Sequence, residues 1–392
     1  MNQPEWWLLF FVAIVIGYIM GRRDGRRRRV RREEALSRDY IRGLNYFLNE
    51  QPDKAIEIFV KSLAVSEHTL ETHLALARVF RRRGELDRAT LIHSNLLDHP
   101  QLPPAARDDV QLELAQDFLS AGMLDRAEEI LHKLLDRGSR HDDTVMRLLI
   151  SVFEQERDWH SAISIADRLM QKQGSHDNSI APVLAQYHCE LAERLLAQQE
   201  SNAARRSLRR ALQLDSRCVR ASLLQGQLEM ADGHWEAALR ALRRIRRQDA
   251  EVFDEVLDDL ERCYQELDRA EQFTQYLGRL IVEAPSTAIV IKLAERLRQQ
   301  FGDRAASLFI ADHVKAHPTV RGFKQILDMQ SRLAEQDAQE PLAVLRQLAD
   351  QLLQQQTHYQ CSDCGFEARR RHWQCPSCKH WGTVKSRNRQ DR

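Results

Sequence analysis

Hydrophobic positions fall along this chain in two different ways. From Trp6 to Met20 the run WWLLFFVAIVIGYIM carries no charged side chain, whereas from about residue 35 to 353 apolar residues recur among polar ones at helical spacing. The first pattern predicts one membrane-spanning helix within residues 1–21, and the second a long series of amphipathic helices. A 15-residue run reaches about 22 Å as a helix against a bilayer core of about 30 Å, and flanking residues with snorkelling Arg stems close most of the gap. Those stems belong to Arg22, Arg23, Arg26, Arg27, Arg28, Arg29, Arg31 and Arg32, in a juxtamembrane segment spanning 22–34. A cleavable export signal would carry its charge before the apolar run and a small-residue cleavage site after it, and neither is present. The positive-inside rule then places residues 22–392 in the cytoplasm. The Arg run serves as the topology signal, and each Arg could also contribute about 1 kcal/mol on anionic headgroups.

The middle of the chain repeats itself. Aligning GLNYFLNEQPDKAIEIFVKSL (43–63) with RVFRRRGELDRATLIHSNLL (78–97) sets Ala55 over Ala89, and the register recurs at Ala127, Ala162, Ala204 and Ala238. Successive gaps are 34, 38, 35, 42 and 34, the longer ones holding loop insertions such as 101–107 with Pro103 and Pro104. Four positions after the alanine stand Phe59, Leu131 and Leu208; nine before it stand Tyr46, Phe80, Phe118 and Phe153; five before it stand Gly84, Gly122 and Gly233. A small residue is what two helices need where they cross closely, with bulky neighbours interlocking around it. The pattern resembles the tetratricopeptide repeat. It implies six repeats over 35–247, then two or three divergent ones over 248–353 centred on Ala270, on Ala305 and Ala306, and within 319–353. The expected fold is all-α: a superhelical solenoid whose groove, lined by first helices, binds segments of other proteins.

On the second helices of repeats five and six, the alignment matches Arg206 with Arg240, Arg209 with Arg243 and Arg210 with Arg244. These should form a ladder on the convex face. One reading is a solvated face; the other is a docking surface for an acidic partner or the anionic inner leaflet. Nucleic acid is not expected, because no aromatic residues interleave with the arginines and the array is acidic.

The net charge of +1, from 58 Lys or Arg and 57 Asp or Glu, conceals that acidity. Residues 33–358 hold 42 basic and 52 acidic groups, while 359–392 hold eight and three. With only 15 Gly and 10 Pro in 392 residues, an all-β architecture lacks its turns.

Cys361, Cys364, Cys375 and Cys378 stand as two C-x2-C pairs ten residues apart, whereas Cys189, Cys218 and Cys263 read as isolated, buried, inert thiols. Two knuckles of this spacing complete a tetrahedral site for one ion, iron or zinc, with no position open for catalysis. The runs C-x-x-C-G-F and W-x-C-P-x-C resemble a rubredoxin-like zinc ribbon spanning 359–385, with 354–358 as linker and 386–392 as tail. Gly365 suits the first turn, Trp373 and Trp381 are expected in the miniature core, and His372 and His380 are surplus to the coordination. A four-thiolate ion carries a net charge of about −2, which gives Arg369, Arg370, Arg371 and Lys379 an electrostatic reason to be there.

Phosphate-loop, dinucleotide, zinc-protease and nucleophile-elbow motifs are absent from the sequence, so an enzyme is not expected. Anchor, Arg run, repeat array and four-Cys ribbon, in that order and size, resemble the lipopolysaccharide assembly protein B family of Gram-negative bacteria. The resemblance implies a single-pass inner-membrane adaptor that regulates lipopolysaccharide synthesis. Its implied partners are a membrane-anchored ATP-dependent metalloprotease, the deacetylase that commits the cell to lipid A, a lipopolysaccharide-sensing membrane regulator and the lipopolysaccharide transport components. It carries the metal over to the same four cysteines and leaves open whether the chain forms a homodimer. The competing readings are a general co-chaperone or secretion-complex scaffold and a redox protein using a rubredoxin-like iron.

Overall fold

A computed structural model of the chain describes residues 43, 45, 46, 54, 67–100, 102–174, 179–283, 285–333, 336–355 and 359–387. The expected anchor, its Arg run and the alanine of the first repeat lie outside the described residues. Among the described residues no helix is long and apolar enough to cross a membrane.

The described chain is helical up to residue 355 and divides into two compact units at Ile165 and Ala166. The first contains α1 (Glu67–Arg82), α2 (Leu86–Leu97), α3 (Pro104–Ser120), α4 (Leu124–Arg137), α5 (Asp142–Glu156) and the start of α6 (Trp159–Gln173). The crossing alanines Ala89, Ala127 and Ala162 are fully buried, as is Phe80, and Phe118 and Phe153 are nearly so. Each pair is an antiparallel hairpin whose turn needs one residue in the left-handed region. Gly84 and Gly122 supply it at φ 79° and 73°, where a Cβ would strain the backbone. Beneath the apolar contacts lies a polar clamp. Arg81 of α1 donates to Glu113 and Asp117 of α3 at 2.7 and 2.8 Å, and buried His93 of α2 meets Asp117 at 2.5 Å.

The second unit holds the rest of α6, then α7 (Ala181–Ala197), α8 (Ser201–Leu214), α9 (Val219–Ala231), α10 (Trp235–Gln248), α11 (Ala250–Glu255), α12 (Leu257–Glu266), α13 (Ala270–Glu283), α14 (Thr287–Phe301), α15 (Asp303–Ala316), α16 (Val320–Leu333) and α17 (Gln336–Gln355). Its amphipathic logic is clearest in α10, which buries Ala238, Leu239, Ala241, Leu242 and Ile245 and exposes Arg240, Arg243, Arg244 and Arg247. Gly226 of α9 lets α10 approach closely: a Cβ there would meet Leu242 Cδ2 at 2.5 Å. The seventh repeat is more regular than its sequence suggests. Its turn residue is Asp268, at φ 54°, and five positions on the crossing residue is Phe273, not Ala270. Tyr264 then fills the aromatic position, its ring 5.2 Å from that of Phe273 and tilted to it by 36°, and Leu277 the large one. The expected centre lies three positions away because neither landmark, glycine or alanine, is used in this repeat. Cys189 and Cys218 are buried as expected but are not isolated, since α7 and the start of α9 bring their sulfurs within 3.8 Å.

A three-stranded antiparallel sheet follows, of β1 (Tyr359–Cys361), β2 (Glu367–Ala368) and β3 (Val384–Ser386) in the order β2-β1-β3. Tyr359 pairs with Ala368 on one side, and Cys361 with Val384 on the other.

Candidate metal centre and the surface it docks on

The two C-x2-C segments fold as near copies of one knuckle, with Cys375 in the second where Cys361 stands in the first. Cys361 N–H donates to Phe366 O at 2.8 Å and Cys375 N–H to His380 O at 2.9 Å; Gly365 N–H returns to Cys361 O and Lys379 N–H to Cys375 O. Both tight turns end left-handed, at Gly365 (φ 76°) and Lys379 (φ 62°), so glycine is used in one knuckle and dispensed with in the other. These turns aim backbone N–H groups at sulfur: that of Phe366 bonds to Cys364 and that of His380 to Cys378. Hydrogen bonding with the Thr383 hydroxyl, 3.3 Å from Sγ, and with the N–H groups of Cys364 and Asp363 outweighs burial and brings the Cys361 thiol down to about 6.

All four sulfurs lie within 4.8 Å of one another, with Cys361 to Cys378 at 3.7 Å and Cys364 to Cys375 at 3.6 Å. A tetrahedron with metal–sulfur bonds of about 2.3 Å has edges of about 3.8 Å, so the donor set fits one zinc or iron ion. His380 is engaged elsewhere, its Nδ1 lying 2.7 Å from Asp363 Oδ2. The ribbon's own core is small, its buried residues being Cys361, Cys375 and Val384, flanked by Tyr359, Phe366 and Cys378, so a bound metal would be its main internal tie.

Trp373 and Trp381 are therefore not the miniature core. They grip the array. Arg220 of α9, only 3% exposed, faces both with its guanidinium carbon 5.9 Å from each ring centroid, and its Nη2 donates to Glu190 and Glu193 of α7 at 2.8 and 2.9 Å. Trp381 also meets the buried ring of Tyr187 edge-on at 6.1 Å. Arg371 faces the array as well, donating to Glu255 at the end of α11 at 2.7 Å while stacking on Tyr359 and Trp373; Tyr359 Oη donates to the same carboxylate at 2.9 Å. The short α11, capped by Asp249 and interrupted at Val256, puts Glu255 there. The sequence singled out neither Arg220 nor Glu255, for each is one charge among many in an amphipathic helix.

The six ladder arginines are all exposed. They do not share one environment: Arg210 lies 3.8 Å from Asp167 beside α8, while Arg240, Arg243 and Arg244 line a cleft between α10 and α13 to which Arg206, Arg209 and Arg210 contribute nothing.

Residues 359–386 match the family model described as rubredoxin metal binding domain, and 189–252 match a tetratricopeptide repeat model. Lipopolysaccharide assembly protein B of Escherichia coli strain K12 is 33% identical over 379 residues, covering 96% of each chain. The chain belongs to the lipopolysaccharide assembly protein B family. Its Haemophilus influenzae member is 31% identical over 394 residues, covering 98% of each chain. A crystal structure of a tetratricopeptide repeat protein from Parabacteroides merdae covers 71% of this chain and 98% of its own at 14% identity, with a TM-score of 0.34.

Proposed function

We propose that this chain is a non-catalytic adaptor of the inner membrane that acts in lipopolysaccharide assembly, promoting breakdown of the lipid A-committing deacetylase by a membrane-anchored ATP-dependent metalloprotease. The observation that carries the reading is the extent of the match: relatives bearing the assembly name align with this chain almost end to end, through the repeat array and the ribbon. The geometry supports an adaptor because the ribbon is fastened to repeats five to seven through Arg220, Arg371 and Glu255, so those repeats and the ribbon meet a partner as one surface. Residues 1–21 hold that surface at the membrane, where confinement raises its effective concentration for other membrane proteins, including the lipopolysaccharide-sensing regulator and the transport components.

Depleting the chain in its own cells and following the deacetylase after synthesis is stopped tests this directly. Its half-life is expected to lengthen and lipopolysaccharide to rise. An unchanged half-life would remove the proteolytic role, and normal turnover with an anchorless form at native abundance would remove the membrane requirement.

A further inference from the structure

Arginine is concentrated on α10 in WEAALRALRRIRRQ, where Arg240, Arg243, Arg244 and Arg247 stand three, four and seven positions apart and so share one face. Like charges at these spacings repel. On the preceding second helix Arg205 is neutralised locally, pairing with Glu229 at 2.8 Å and with Asp232 at 2.7 Å. Of the arginines on α10, only Arg246 pairs with a carboxylate among the described residues, Glu283 of α13, at 3.0 Å. Arg240, Arg243, Arg244, Arg247 and, from α13, Arg279 pair with no carboxylate in the described residues.

These six arginines surround a cleft of about 530 Å³ between α10 and α13, with Glu283 as its single acid. Its floor is fixed, because Leu280 is 2% and Tyr276 8% exposed, and the Arg243 guanidinium rests on the Tyr276 ring at 4.9 Å. A cleft of this size suits a compact ligand. The net charge around it is +5, which a single carboxylate leaves largely unbalanced. A phosphate monoester brings about −1.5 to −2 charges and three acceptor oxygens in one small group, and the planar guanidinium matches such oxygens two at a time.

We propose that the cleft between α10 and α13 binds a ligand carrying clustered phosphate groups, presented by a soluble phosphate ester or by a phosphorylated lipid headgroup. The site lies on second helices, has no ribbon residue in its lining, and stands independently of the adaptor reading.

The test uses the full chain in neutral detergent. Inorganic pyrophosphate is titrated calorimetrically, and phosphatidic acid is added to the micelles as a separate arm. The triple variant Arg243→Glu/Arg244→Glu/Arg279→Glu is expected to weaken binding about tenfold or more, as is the milder Arg→Gln version, with thermal unfolding unchanged; Arg206→Glu/Arg209→Glu is expected to bind as the parent does. Saturation by pyrophosphate with no preference for phosphatidic acid assigns a soluble ester, and tighter binding to phosphatidic acid micelles assigns a headgroup. The proposal is overturned if neither probe binds, if both variant sets weaken binding equally, or if a Glu-rich peptide binds the cleft where both phosphate probes fail.

Discussion

Arg220 joins two parts of the chain that lie far apart in sequence, helix α9 and the ribbon indoles of Trp373 and Trp381. Burial works against its charge, but Glu190 and Glu193 outweigh that and hold the guanidinium protonated beside the two indoles. Removing it would leave those rings against a void and the two glutamates without their cation. Both glutamates keep some exposure, 25% and 43%, so the loss falls below that of a fully buried pair. We expect Arg220→Ala to lower unfolding stability by about 2–4 kcal/mol in denaturant titration and to open residues 359–387 to protease. Arg220→Lys keeps the charge but not the flat plate that both rings face, and should recover only part of the loss. Parent-like protease resistance in Arg220→Ala would show that the ribbon is held by other contacts.

At the scale of the helix, the clamp between α1 and α3 makes stability depend on acid. Burial pushes the Glu113 carboxyl up, but hydrogen bonds and charge from Arg78 and Arg81 outweigh it and leave it below its ordinary value. Glu229 on α9 is likewise held down, by Arg205 and His234 against its burial. Since each folded-state value lies below the unfolded one, the stabilisation is complete above the ordinary Glu range of about 4.5 and disappears as pH falls through the folded values. Melting temperature should therefore vary little between about pH 7 and 5.5 on account of these groups and fall below about 4.5, with a shallower acid slope in Glu113→Gln. A second prediction concerns the approach of α9 to α10. In Gly226→Val the added carbons would press on Leu242 in a filled core, which should cost about 1–3 kcal/mol despite the poor helix propensity of the glycine it replaces. What sequence reveals at this scale follows from the same packing. A crossing recurs in every repeat, so Ala89, Ala127, Ala162, Ala204 and Ala238, all fully buried, announce themselves by spacing. Phe273 does not, because its repeat satisfies the same geometry with a large residue and a left-handed Asp268. The metal ligands are legible because chelation imposes its spacing within the short stretch from Cys361 to Cys378. The docking surface is not, since Arg371 and Glu255 are distant in sequence and each such meeting occurs once.

For the molecule as a whole, a metal held by the four thiolates would decide whether the ribbon and the repeats it rests on act together. The ribbon's three strands are three, two and three residues long over three buried side chains, too little apolar burial to fold a segment of this size unaided. The array has its own continuous core from Ala238 to Leu293 that includes no ribbon residue. Stripping the metal with a chelator, or making Cys364→Ser/Cys378→Ser, should therefore unfold 359–387 and leave the helices folded. Far-UV circular dichroism is expected to keep nearly all its helical signal while Trp emission shifts to the red, the shift being lost in Trp373→Phe/Trp381→Phe. Arg220 then loses its two aromatic partners, so the change should reach the array as faster amide exchange along α7 and the start of α9. If emission and exchange both stay unchanged after verified metal loss, the thiolates do not hold the ribbon in place. If they change as expected, a metal-free chain at native abundance should fail in the depleted cells as completely as a chain truncated before Tyr359.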